Sequence, residues 1–134
     1  MKNEIDIASL QGEILTHIDV GTRYGFDEIL LTTASGRVVS IFHDQNCCES
    51  VVIESTTGEW RELLGKVLVC ASMDEVSNEN PSPGDYSYSW TRTTLTFQVD
   101  DATVINRWIG ESNGYYSETI SLYELQPSEL VASV

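Results

Sequence analysis

The sequence predicts a mostly β fold, an antiparallel sheet curled around one core with one short helix. Two observations predict it: apolar residues alternate with polar ones in about seven or eight short runs separated by turn residues, and no internal repeat is present. Whether the sheet forms a sandwich or an open barrel is left open by the pattern.

The first strand is read over Glu13 to Val20, where Ile14, Ile18 and Val20 share one parity and Gly21 ends the run. A hairpin follows, with Asp27 to Thr33 and Val38 to His43 flanking the polar linker Ala34-Ser35-Gly36-Arg37. Ser50 to Glu54 is a β-branched run. Gly58 to Gly65 reads as a helix of one or two turns, with Thr57 as its cap and Gly65 as its stop.

Lys66 to Met73 is apolar enough for a central strand, whereas Asp74 to Asp85 combines two prolines with four acids and reads as a long loop. Tyr86, Tyr88 and Trp90 lie on one parity, while Leu95, Phe97 and Val99 lie on the other. A β-bulge near Arg92 would reconcile them. Asp100-Asp101 turns the chain into a strand over Thr103 to Ile109, and Asn113-Gly114 signals a further hairpin before Tyr115 to Tyr123. The 134 residues fit one domain, 1–134, with 126–134 read as a C-terminal tail.

Seven cations against 21 acids give a net charge of −14, which repels a phosphate polymer and disfavours duplex nucleic acid as a partner. No apolar run approaches the roughly 20 residues of a membrane span, and acid precedes any apolar stretch at the N-terminus, so no membrane partner and a cytoplasmic setting are expected. Three cysteines, two of them adjacent, do not make a disulfide framework, and reduced thiols are expected.

His43-Asp44-Gln45-Asn46-Cys47-Cys48-Glu49 is the densest group of reactive side chains. Neighbouring cysteines on extended backbone face opposite ways, so they cannot readily share a tetrahedral metal, and no second ligand pair is present. Neither metal nor cofactor is expected. No nucleophile signature surrounds either thiol, and phosphate-loop and hydrolase motifs are missing, so no catalytic residue is assigned and the chain is expected not to be an enzyme. The competing enzyme reading would rest on His43, Cys47 and Cys48.

Arginine is scarce in so acidic a chain, and three of five stand beside tryptophan: Trp60-Arg61, Arg107-Trp108 and, two residues apart, Trp90 and Arg92. A guanidinium beside an indole suits a nucleotide, the one binding phosphate and the other stacking on a base. The plainer reading is a core tryptophan with an arginine covering it or paired to an acid.

Two segments, Phe42-His43-Asp44-Gln45-Asn46-Cys47-Cys48-Glu49-Ser50-Val51 and Arg107-Trp108-Ile109-Gly110-Glu111-Ser112-Asn113-Gly114-Tyr115-Tyr116-Ser117-Glu118, resemble a family of small phage and prophage proteins, the anti-Thoeris sponges. The resemblance spans roughly Leu10 to Leu125. It implies an anti-defence protein that sequesters a cyclic ADP-ribose isomer, an immune signal made by TIR-domain enzymes, without degrading it; some members also trap cyclic oligonucleotides. It further implies two arginines with aromatic or amide neighbours gripping the ligand at the edges of a dimer. The matching positions are Arg107 and Arg61; on physical grounds Tyr86, Tyr88 or Trp90 would offer a face to adenine, with Arg92 as a further contact, and a homo-oligomer, at least a dimer, is expected. The rival from another class is an acidic DNA mimic or other protein-binding inhibitor, acting through rows of carboxylates.

Overall fold

A computed structural model describes residues 3–78, 88–114 and 116–126. The strands are β1 (Asn3–Glu4), β2 (Leu15–Arg23), β3 (Phe26–Thr33), β4 (Val38–Phe42), β5 (Ser50–Thr57), β6 (Cys70–Ser77), β7 (Ser89–Val99), β8 (Ala102–Ser112) and β9 (Ser121–Glu124). Two 3-10 helices, Ile7–Leu10 and Trp60–Leu63, supply the helical content among the described residues. One sheet runs β1-β9-β4-β3-β2 and the other β5-β8-β7-β6, all neighbours antiparallel. No helix among the described residues is long and apolar enough to cross a membrane.

Alternation decides which side chains meet between the sheets. Leu15, Ile29, Leu31, Val39 and Ile41 from the first sheet and Leu95, Phe97, Val99, Val104 and Trp108 from the second form one buried cluster, closed by Ile7, Leu10, Leu63 and Leu68. Each large side chain so buried stabilises the fold by roughly 2 kcal/mol. The sheets adjoin at two corners: Ile14 bridges to Val67, and Asp27 Oδ2 accepts from the Ile53 backbone N–H at 2.8 Å. That second contact satisfies a donor on β5, which among the described residues is the edge strand of its sheet. Arg37 staples the same sheet elsewhere, donating to Glu124 at 2.9 Å, Glu13 at 3.0 Å and the Ser9 carbonyl at 3.1 Å.

Several expectations are corrected. The first strand runs past Gly21 to Arg23 and turns at Tyr24-Gly25, both with positive φ as a type I′ hairpin requires. Residues 74–77, read as loop, belong to β6: all four are exposed on both faces of an edge strand, where pairing with β7 needs no apolar pattern. Residues 79–85 of that loop, the following residues 86 and 87, and with them the candidate contact Tyr86, and residues 127–134 of the tail lie outside the described residues.

No bulge interrupts β7 near Arg92. Its pairing with β8 is continuous from Ser89 to Val99, and Thr91 and Thr93 take the inward positions ahead of Leu95. A threonine can face inward when its hydroxyl finds an acceptor, and Thr91 Oγ1 donates to Glu118 Oε1 at 2.9 Å. The register shifts fall instead at Leu15/His17 and Ile53/Ser55.

Asn113-Gly114 does not open a hairpin with β8. The chain crosses to the other sheet, where β9 pairs with β4 and β1, because Glu118 is anchored inside by the hydroxyls of Thr91 and Ser112. Short-range turn signals could not compete with that buried anchor. The predicted helix is a single 3-10 turn at Trp60–Leu63, preceded by Glu59 with no side-chain cap, so Thr57 is not its cap.

Candidate ligand-binding site

Trp90 and Arg92 share a face, since residues two apart on a strand point the same way, whereas the adjacent Arg107 and Trp108 do not; Trp60 and Arg61 lie on a 3-10 turn. Trp108 is buried in the core, its indole N–H donating to Asn106 Oδ1 at 2.6 Å. Trp60 turns toward Phe97, with ring centres 5.8 Å apart. The Arg92 guanidinium lies 5.6 Å from the centre of the Trp90 ring. Tyr88 is exposed just before β7, and desolvation and the neighbouring Glu111 push its phenol above the ordinary value.

Arg107 joins this outer face. It stands opposite Thr94 while Arg92 stands opposite Ile109, which places the two arginines on diagonal positions of neighbouring strands. Glu54, the extra residue of the β5 bulge, reaches the same face and binds Arg92 in a fork, Nε to Oε1 at 2.9 Å and Nη2 to Oε2 at 3.0 Å. Its carboxyl is held below the usual range chiefly by Arg92 and, less, by the field of Arg107.

Arg107 itself donates to the Thr57 hydroxyl at 3.1 Å. Among the described residues, Arg61 and Arg107 are the two arginines with no carboxylate in ion-pairing range, whereas Arg23 and Arg92 each have one and Arg37 has two. Thr57 ends β5, and the 3-10 turn that begins at Trp60 carries an exposed Arg61. Trp90, Arg92, Arg107 and Tyr88 thus lie on one face, while Arg61 is carried by that turn.

The loop between β4 and β5 is built around Glu49. Its side chain is fully buried, with Oε2 accepting from His43 Nε2 and the Asn46 N–H, and Oε1 from the Cys47 N–H, all at 2.8 Å. Burial pushes its carboxyl up, but the Cys47 N–H, His43 and the Asn46 N–H together outweigh it and bring the pKa down to about 2. His43 Nδ1 donates to the Thr119 carbonyl at 2.6 Å, so both ring nitrogens are engaged. The pairing of Ser50 to Glu111 and of Val51 to Gly110 brings the two distinctive segments of the sequence together.

Inside this tight loop the sulfurs of Cys47 and Cys48 are 2.12 Å apart and bonded, where reduced thiols were expected. The backbone here is turned, both Asn46 and Cys47 N–H groups converging on Glu49, so the neighbouring side chains do not diverge as on a strand. Cys70 is a free thiol. Among the described residues no group of three or more histidines, cysteines or carboxylates could hold a metal ion.

Two clefts flank the loop. One of about 250 Å³ is lined by Cys48, Glu49, Ser112, Asn113 and Tyr116. The other, of about 280 Å³, lies between the β2–β3 hairpin tip and the loop, lined among others by Arg23, Tyr24, Phe26, Phe42 and Asp44. Sequence reasoning missed this second cleft, because its aromatics are spread over two strands and a turn; the exposed pair Arg23-Tyr24 before Gly25 was the available signal.

A family model matches residues 8–122, from the first 3-10 helix into β9, and is described as a domain of unknown function, DUF7448. The chain belongs to the DUF7448 family. No curated protein and no solved structure matches this DUF7448 chain. The matched span of the DUF7448 domain includes the Glu49 loop, both clefts and all five arginines.

Proposed function

We propose that the protein is a phage-type anti-defence protein that binds and sequesters a cyclic nucleotide immune signal, of the cyclic ADP-ribose isomer type and extending to cyclic oligonucleotides, without degrading it. It works in the host cytoplasm as at least a dimer. The observation that carries this reading is that Arg61 and Arg107 have no carboxylate in ion-pairing range among the described residues, in a chain with 21 acids. A guanidinium with no carboxylate paired to it keeps N–H groups available for phosphate. Trp90, packed against Arg92, and Tyr88 lie on the same face of the sheet as Arg107 and offer rings on which a base can stack.

An overall negative chain repels an anion at long range, so capture relies on short, charge-assisted bonds. Calorimetric titration against a panel of cyclic nucleotides, followed by heating of the complex, tests the reading: intact ligand is recovered. Arg107→Ala and Arg61→Ala each weaken binding by about 30-fold or more, the effect of about 2 kcal/mol for a desolvated charge contact. Recovery of a cleaved product would make the protein an enzyme, and affinity unmoved by both variants would put the ligand elsewhere. Capture of a nucleic-acid-binding protein with no small molecule retained would favour the acidic inhibitor instead.

A further inference from the structure

The cleft at the β2–β3 hairpin differs in character from the Arg107 face. Its walls are Tyr24, Phe26 and Phe42, with the carboxylates of Glu28 and Asp44 and the guanidinium of Arg23 beside them; Asp27 also lines it, but next to Glu28 on β3 its side chain turns the other way, toward Ile53. Each carboxylate uses one oxygen internally: Asp27 Oδ2 accepts from the Ile53 N–H at 2.8 Å, Glu28 Oε2 from Ser40 Oγ at 2.6 Å, and Asp44 Oδ2 from the Tyr123 hydroxyl at 2.7 Å. The second oxygen of each has no hydrogen-bond partner among the described residues.

Arg23 shows what such a cleft holds. Its guanidinium lies 5.7 Å from the centre of the Tyr24 ring and 3.4 Å from Glu28 Oε2, between an aromatic face and a carboxylate. Neither contact is tight, and the Arg23 side chain is 52% exposed, so it occupies the place loosely. Tyr24, 89% exposed at the hairpin tip, presents its ring to solvent.

We propose that this cleft is a binding site for a small cation, a guanidinium or alkylammonium group, and that Arg23 is a resident stand-in which the ligand displaces. Aromatic faces attract a cation through the ring quadrupole, and the rim carboxylates pair with it. The field of a chain with net charge −14 steers a cation inward, the opposite of what it does to an anion. A volume of about 280 Å³ suits a single head group with a short stem.

The test is titration with agmatine, as a free amine, and with the peptide acetyl-Gly-Arg-Gly-amide, as a protein-borne guanidinium, each followed by calorimetry at low and high salt. Agmatine binds the wild type and is weakened by salt; peptide binding of equal strength assigns the site to a partner's basic side chain, and agmatine binding alone assigns it to free amines. Arg23→Ala tightens binding, by about fivefold, because it removes both the stand-in and a like charge. Tyr24→Asn, which keeps a residue tolerant of positive φ, weakens it by about threefold. Asp44→Asn weakens it also.

If neither probe binds the wild type or Arg23→Ala, or if Arg23→Ala weakens agmatine binding, the proposal is overturned. Binding of inorganic phosphate that is lost in Arg23→Ala would overturn it too, by making the cleft an anion site. None of these variants touches Arg61 or Arg107, so the outcome is independent of the cyclic-nucleotide reading.

Discussion

Glu49→Ala is expected to destabilise the protein by about 3–5 kcal/mol, the cost of removing one partner of a buried charged network. For a chain of this size that lowers the melting temperature by roughly 10–15 °C. The substitution leaves the Asn46 and Cys47 N–H groups and the buried His43 Nε2 without their acceptor, and empties the centre of the loop that joins the two sheets. Calorimetry or circular dichroism reads the shift, and a melting point within about 3 °C of wild type would show that the loop does not depend on its carboxylate.

The same carboxyl makes stability depend on pH with a defined sign. Its folded pKa of about 2 lies below its ordinary value of 4.5, so the folded state binds its proton less readily than the unfolded chain does. The stabilisation is therefore complete above about pH 4.5 and is lost as pH falls from there through about 2. Glu49→Gln removes this titration, and its stability falls less steeply over that window than that of the wild type.

Gly110→Ala is expected to cost about 3 kcal/mol, at the upper end for overpacking, because the obstacle is backbone. A Cβ at this inward-facing position of β8 would collide with the Glu118 carbonyl oxygen and lie 2.8 Å from its carbon. The crossover would have to retreat, and with it Glu118, whose carboxylate accepts from Thr91 and Ser112. Gly21→Ala is the matched control: nothing lies within 4 Å of the added atom, and the change in stability should stay within about 0.5 kcal/mol. Equal denaturation midpoints for the two variants would show that the close approach of Gly110 to the crossover carries no cost.

Strands and tight turns were legible where local chemistry decides them. The hairpin around Ser35-Gly36 and the turn at Asp100-Asp101 were read in place, since two-residue and glycine-bearing turns act within a few positions. Failures arose where a distant group overrides local signals. Thr91 and Thr93 read as a polar break in apolar parity, yet they face inward because Glu118 arrives from elsewhere in the chain to accept from Thr91. Asn113-Gly114 read as a hairpin for the same reason in reverse.

The binding residues were legible in part. Scarcity and aromatic neighbours marked the arginines, but adjacency in sequence cannot tell Trp90, which accompanies Arg92, from Trp108, which turns its back on Arg107. Nor could it show that Arg37 and Arg92 are held by carboxylates while Arg61 and Arg107 are not. Those partners lie tens of residues away.

By itself the sequence determined the β class, the acidity and the scarcity of cations, because alternation, turn residues and net charge are local or additive properties. Tertiary structure alone decided which arginine is neutralised, which aromatic ring is exposed, and that the Phe42–Val51 and Arg107–Glu118 segments meet around the Glu49 loop. The reason is that ion pairing, burial and cleft formation depend on which residues the sheet register brings within a few ångströms, and register is settled by the whole core.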